Sequence, residues 1–377
     1  MTNKCSSRRS RNCLPLALIL LFGLPAGCAA PLKGTISAEA EESLRAKAMD
    51  FLKRAAFSDD PVLRMQAIEG LQEVAPEEGL TCIEKNLDNG YAGVCFAALM
   101  AVGGIGDDAA IEMIRLRAED RDPSVRIAAL YALHRLGDRS RTGELSELLL
   151  KHRDARVRAN AALAIGRLGE PQSAELLQLA LRREKKDAVK MQILEGLAMI
   201  GDAHGIDRLR LYGYSAVPDQ SALALMLLAN AYSAEAEDLF RYRLDVADQP
   251  EIKLQAARGL GRLGYDQGLD LALRYLFFDS PDRRRRNDSP EQQIIRIRAL
   301  AALALESIGS RDALAALEQA MQSPGESDRI LVAVARAIVA IVDGRQSRFD
   351  SPAERPSRAH AEHNARRNLA SRPDPPP

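Results

Sequence analysis

The sequence predicts an all-α fold, an α-solenoid built as a superhelical stack of about nine helical hairpins. Three observations carry this prediction. A thirteen-residue block recurs nine times along the chain, mostly 31 or 32 residues apart, starting at Leu63, Val94, Val125, Val157, Val189, Ser221, Ile252, Ile297 and Leu331. Within a block the apolar positions follow helical steps, as in Val125, Ala129, Leu133 and Leu136, which share one face at 3.6 residues per turn. The composition agrees: 60 alanines, 4% aromatics and no Trp suit closely packed helices better than one bulky core. Repetition at a fixed period of 20 to 50 residues is the signature of such arrays.

The elements follow in chain order. Residues 1–27 read as a signal peptide, with Lys4, Arg8, Arg9 and Arg11 before the apolar run Leu14 to Leu24, which is too short to span a bilayer of roughly 30 Å. The small residues before Cys28 resemble a bacterial lipobox, which implies cleavage at Gly27-Cys28 and acylation of the Cys28 thiol. Pro25 stands where that pattern usually has Leu, so cleavage near Ala29 to give a soluble exported protein is the alternative. Residues 28–36 form a tether, and Ser37 to Ala56 a helix that caps the first repeat. The solenoid occupies residues 37–343.

Each block is a capped helix of about four turns. Asp60, Asp122, Asp154 and Asp328 stand three residues before a block, where an N-cap belongs. Gly106, Gly137, Gly169, Gly201, Gly264 and Gly309 stand twelve residues into it, a C-cap signature. The position seven on is usually small, for example Gly70, Gly196 and Gly259, and close helix approach compensates a mid-helix glycine. Between blocks lie second amphipathic stretches such as Ala109–Ala118, Glu144–Lys151 and Ala174–Arg183, so each repeat is a hairpin that must stack on its neighbours to bury its apolar faces. The insertion 279–290, with four consecutive arginines, predicts a flexible surface loop. Residues 344–377, rich in Pro, Arg and Asp, predict a disordered tail.

The pattern Asp-x-x-Val-Arg-x-x-Ala-Ala-x-Ala-Leu-x-x-Leu-Gly at Asp122–Gly137 resembles the short HEAT-like repeats first named from phycobilin lyases. The resemblance covers roughly residues 58–343. It implies a HEAT/armadillo-like solenoid, and a function among scaffolds, bilin lyases and an iron-dependent hydroxylase. The hydroxylases of that kind hold iron through His-Glu pairs. No His-Glu dipeptide occurs here, so that activity does not carry over, and no metal or cofactor is expected.

Catalytic candidates are scarce. His134, His152 and His204 lie in different repeats, and His134 is expected to face solvent. The Gly103-Gly104-Ile105-Gly106 run closes a repeat helix and does not follow a strand, so it reads as packing rather than a phosphate loop. Cys82 and Cys95 flank the turn at Asp88-Asn89-Gly90. They either pair as a disulfide across the hairpin or remain two half-buried thiols.

The most informative polar feature is a basic ladder. Arg64, Arg126, Arg158, Lys190, Lys253 and Arg298 hold the second position of their blocks, and Arg135, Arg167 and Arg262 lie near the other end of the same helices. Stacking aligns them into rows along the second helices, which line the concave surface in the solenoids that this chain resembles, and there they either bind an acidic protein segment or pair within and between repeats. With 52 basic and 52 acidic residues the whole chain is neutral. Without the signal it carries −4, which with export disfavours nucleic acid as a partner. The expected protein is a non-enzymatic scaffold or adaptor, lipid-anchored in the cell envelope, outer membrane facing the periplasm favoured, that binds a protein partner through its concave face. The alternative is an enzyme, or a bilin-lyase-like accessory protein, with an unrecognised groove site.

Overall fold

The computed structural model describes residues 33–282 and 288–344. The signal segment, Cys28, residues 283–287 of the 279–290 insertion and the tail from residue 345 lie outside the described residues. Among the described residues there is no strand, and no helix long and apolar enough to cross a membrane. The helices pair as α1 (Ala38–Ala55) with α2 (Pro61–Val74), α3 (Pro76–Glu84) with α4 (Ala92–Ile105), and α5 (Ile111–Arg117) with α6 (Pro123–Arg135). Next come α7 (Gly143–Lys151) with α8 (Ala155–Leu168), α9 (Ala174–Arg183) with α10 (Asp187–Ile200), and α11 (Ala203–Gly213) with α12 (Pro218–Asn230). Last are α13 (Glu237–Val246) with α14 (Pro250–Arg262), α15 (Leu269–Leu276) with α16 (Pro290–Ile308), and α17 (Leu314–Met321) with α18 (Asp328–Val342). The odd helices form an outer layer. The even helices, which contain the repeated block, pack side by side inside it.

Local chemistry sets the helix ends. Asp60, Asp122 and Asp154 accept from Val62 N, Ser124 N and Arg156 N at 2.9, 2.7 and 2.8 Å, the N-caps the sequence indicates. For α18 the cap is Ser327, and Asp328 is already helical. The six glycines twelve positions into their blocks have φ between 69° and 97°, the left-handed conformation that ends a helix. The sixth repeat lacks that glycine, and there Tyr232 adopts φ 51° instead, a genuine outlier for a bulky side chain.

Small residues set the spacing of the inner helices. A Cβ on Gly166 of α8 would lie 2.4 Å from Gly196 Cα of α10, and one on Gly103 of α4 would lie 2.6 Å from Ala132 Cα of α6. The ninth step of one inner helix thus meets the seventh step of the next, so backbones touch where side chains would otherwise keep them apart. Gly259 instead makes room for the Phe240 ring from the outer layer, and Gly70 for the Arg336 side chain.

The array closes on itself. α18 packs against both α1 and α2, and its contact with α2 is the inner-to-inner contact that every inner helix makes with the next. Ion pairs fasten this seam: Arg45 Nε and Nη2 donate to the Asp343 carboxylate at 2.5 and 2.9 Å, and Arg329 Nη2 donates to Asp60 Oδ2 at 2.9 Å. Helix α1 is therefore not an end cap covering an exposed face; it is the neighbour that the last repeat requires. Among the described residues the last repeat thus meets the first, and the stack of nine hairpins is closed.

Candidate functional site

The basic ladder splits into two parts with different fates. At the start of the inner helices the arginines brace the loop that precedes them. Arg64 Nε donates to Ser58 O at 2.7 Å, Arg126 Nη1 to Asp120 O at 2.8 Å, and Arg158 Nη1 to His152 O at 2.8 Å. Arg298 Nε does the same with Phe278 O at 2.8 Å, across the insertion. Arg158 also grips Glu184 in a bidentate pair at 2.7 and 3.0 Å, and Arg298 Nη1 reaches Glu326 at 2.7 Å. The Arg158 hydrogen bonds, helped by the Lys186 and Lys185 backbone N–H groups, bring the Glu184 carboxyl down to about 2 against the opposing effect of burial. Lys190 pairs with Asp187 at 3.0 Å, while Lys253 has no partner among the described residues. Of the two readings of this series the structure displays pairing: its four arginines donate to loop carbonyls, and Arg158 and Arg298 also to carboxylates of the next repeat.

At the other end of the helices, Arg135, Arg167 and Arg262 face the ring interior. Arg135 Nε donates to Gly103 O at 3.2 Å. Arg262 is buried, stacks over the Tyr232 ring at 4.8 Å, and comes within 3.9 Å of Glu73 on α2. That last contact joins the first and seventh repeats across the interior. Arg336 of α18 donates to Glu306 of α16 at 3.1 and 3.0 Å and to Glu73 at 2.5 Å. Burial opposes ionisation of Glu73, but Arg336, Arg262, Arg258 and Arg167 outweigh it and bring its carboxyl down to about 2. Desolvation presses on Arg258 from the other direction, reinforced by Arg262, although a guanidinium retains its proton at neutral pH. Burial raises the carboxyl of Glu195, which accepts from Asn230 Nδ2 at 3.2 Å and from Gln192.

The concave groove expected for an acidic partner is therefore filled by the protein's own charges. Carboxylates from α2, α10 and α16 interact there with arginines from α8, α14 and α18. The sequence reading followed only the arginines. The matching acids sit at the sixth, ninth and tenth steps of different repeats and form no row in the sequence.

The remaining candidates resolve simply. His134 is buried rather than solvent-facing: its ring nitrogens lie 2.7 Å from Thr142 Oγ1 and 3.0 Å from Glu170 Oε1, linking adjacent repeats. Cys82 and Cys95 are free thiols. Cys95 Sγ donates to Leu87 O at 3.0 Å, and burial pushes this thiol up to about 11, which suppresses its reactivity. Among the described residues no cluster of three or more His, Cys, Asp or Glu is placed to hold a metal ion.

Fold and interior together define a closed array of HEAT-type helical repeats, an architecture that generally serves protein–protein interaction. A family model described as HEAT repeats matches residues 142–213, from α7 to α11. Among solved structures, the complex of CpcE and CpcF of phycocyanin lyase from Nostoc sp. PCC7120 is similar at 17% identity, over 67% of this chain and 93% of that one, with a TM-score of 0.37. Human deoxyhypusine hydroxylase in complex with glycerol is similar at 19% identity, over 73% and 99%, with a TM-score of 0.34. These likenesses concern the helical-repeat architecture alone. No curated protein matches the sequence.

Proposed function

We propose that the protein is a lipid-anchored adaptor of the bacterial cell envelope, held by acyl chains on Cys28 and presenting its repeat ring to a protein partner. Placement at the outer membrane, facing the periplasm, is part of the same reading. The observation that supports it best is how the ring distributes its surface. The interior charges are engaged with one another, while most of the large apolar side chains left exposed lie on one rim, where outer helices end and inner helices begin. The chain enters at the opposite rim: Gly34 N donates to Asp312 O at 3.1 Å, and Lys33 Nζ to Asp270 at 3.2 Å. The mature charge of −4 and the export signal give no support to a nucleic-acid partner.

Fractionation tests the anchor. Wild-type protein is expected in the membrane pellet and the Cys28→Ala variant in the soluble envelope fraction; equal pelleting of both refutes lipidation. Crosslinking in the native envelope, followed by identification of the attached protein, tests the adaptor role. A ring that crosslinks to no protein refutes it.

A further inference from the structure

The apolar rim is not uniform. Its densest part spans the sixth and seventh repeats, where α11 and α13 end. Leu211 is 72% exposed and Tyr242 48% exposed, with Tyr214, Val217 and Val246 exposed beside them. The Tyr214 and Tyr242 rings lie 5.6 Å apart, so the side chains of the two outer helices meet and make one continuous surface. Single exposed apolar residues are ordinary, but a contiguous cluster with two aromatic rings marks an interaction surface, and tyrosine is enriched in such places.

The charges around this cluster indicate what covers it. On α13, Asp238 and Asp245 stand four residues before and three after Tyr242, on the same helix face. Asp219 opens α12 beside Val217, and Asp248 follows Val246. All four carboxylates are exposed, and none has a hydrogen bond or ion pair among the described residues. The nearby cations are mostly engaged. Arg210 pairs with Asp207 at 3.1 Å, Arg243 donates to Ser221 Oγ at 2.9 Å, and Arg241 pairs with Glu237 at 2.9 Å while stacking 4.4 Å over Tyr265. Arg208, and Lys253 at the start of α14, have no partner among the described residues. Residues 203–249 carry seven acids and four arginines, a net charge of −3. A bilayer with anionic headgroups is repelled by such a border, and the chain entry at Lys33 lies on the opposite rim.

We propose that the surface formed by Leu211, Tyr214, Val217, Tyr242 and Val246 docks an apolar, basic segment of a partner protein, with apolar side chains on the tyrosine pair and Lys or Arg side chains against Asp219, Asp238, Asp245 and Asp248. This names the contact face and partner chemistry of the adaptor reading and rests on it. Its test is independent of the anchor, since it needs neither membrane nor lipid.

The experiment uses the full mature chain with Cys28→Ser and three fluorescent probes: an 18-residue amphipathic peptide of Leu and Lys, the same peptide with Glu in place of Lys, and a scrambled Leu/Lys sequence. Binding is read by anisotropy at 150 mM salt. The Leu/Lys helix is expected to bind, and the Glu and scrambled versions to bind at least tenfold more weakly. Leu211→Ser with Tyr242→Ser is expected to weaken Leu/Lys binding at least tenfold, and so is Asp238→Asn with Asp245→Asn. These side chains are exposed, so the thermal midpoint should stay within about 2 °C of wild type for each pair. A matched control, Leu116→Ser with Asp59→Asn elsewhere on the same rim, should leave binding unchanged. Failure of the unmodified chain to bind, equal binding of Lys and Glu peptides, or equal loss in the control variant overturns the proposal. Co-sedimentation with vesicles of three parts phosphatidylcholine to one part phosphatidylglycerol supplies the last arm. No sedimentation is expected, and sedimentation abolished by Leu211→Ser with Tyr242→Ser would make the surface a lipid contact and overturn it too.

Discussion

Replacing Arg336 with Met tests the charge network inside the ring. The guanidinium makes three hydrogen bonds at 2.5 to 3.1 Å, two to Glu306 and one to Glu73, and it connects α18 to both neighbouring repeats. Glu306 is 1% exposed and forms its salt bridge with Arg336, so Arg336→Met leaves a buried carboxylate with only the more distant Arg258 charge to offset it. Breaking a buried pair by removing one member costs about 3–5 kcal/mol. Glu73 moderates the loss because it keeps Arg262 nearby; about 3 kcal/mol is the expected value. Urea unfolding measures it as a lower midpoint at unchanged slope. The double variant Arg336→Met with Glu306→Gln should recover at least half of the loss, since the stranded charge is then gone. A loss under about 1 kcal/mol, or a double variant no more stable than the single, would show that the interior pair does not hold the seam.

Three further outcomes follow from particular groups. The Glu73 and Glu184 carboxyls are held at about 2, below the unfolded value of about 4.3, so the stability they contribute is complete above about pH 5 and disappears as pH falls through their folded values. Thermal midpoints of Glu184→Gln should therefore decline less steeply from pH 5 to 3 than those of wild type; parallel profiles would count against the assignment. Glu195 behaves oppositely: burial raises its folded value, so its ionised form opposes folding at neutral pH. Glu195→Gln should raise the thermal midpoint at pH 7 by an amount that shrinks toward pH 4, and a constant or negative effect refutes this. Finally, Gly166→Ala forces a Cβ to within 2.4 Å of Gly196 Cα and should cost about 1–3 kcal/mol, whereas Gly143→Ala, with open space around it and ordinary backbone, should be neutral or gain up to about 1 kcal/mol. Similar effects of the two in urea unfolding would contradict the close packing of α8 and α10.

Much of the repeat was legible because its signals are local. The caps Asp122 and Asp154, the terminal glycines such as Gly169, and the apolar steps of Val125 to Leu136 each act within a few residues, where spacing and geometry correspond directly. Closure was not legible. It depends on nine small rotations adding up to one turn, and no residue encodes that sum. The interior network was hidden for a related reason: Glu73, Glu306 and Arg336 occupy different steps of different repeats, so only the ring brings them together. His134 was misplaced because its exposure depends on Thr142 and Glu170, which belong to the next repeat. The apolar rim was overlooked for a simpler reason. Leu211 and Tyr242 sit in outer helices, whose patterns are shorter and less regular than those of the inner block.

Closure also changes what the ends of this chain are. An open solenoid needs special terminal repeats to shield its last apolar faces from water. Here α1 and α18 shield each other, so no repeat is structurally first. The joint between α18 and α1 has no connecting turn and is made by packing and ion pairs alone. A circularly permuted chain that joins the present ends and opens at the turn between α4 and α5 would meet the same set of neighbours at every helix.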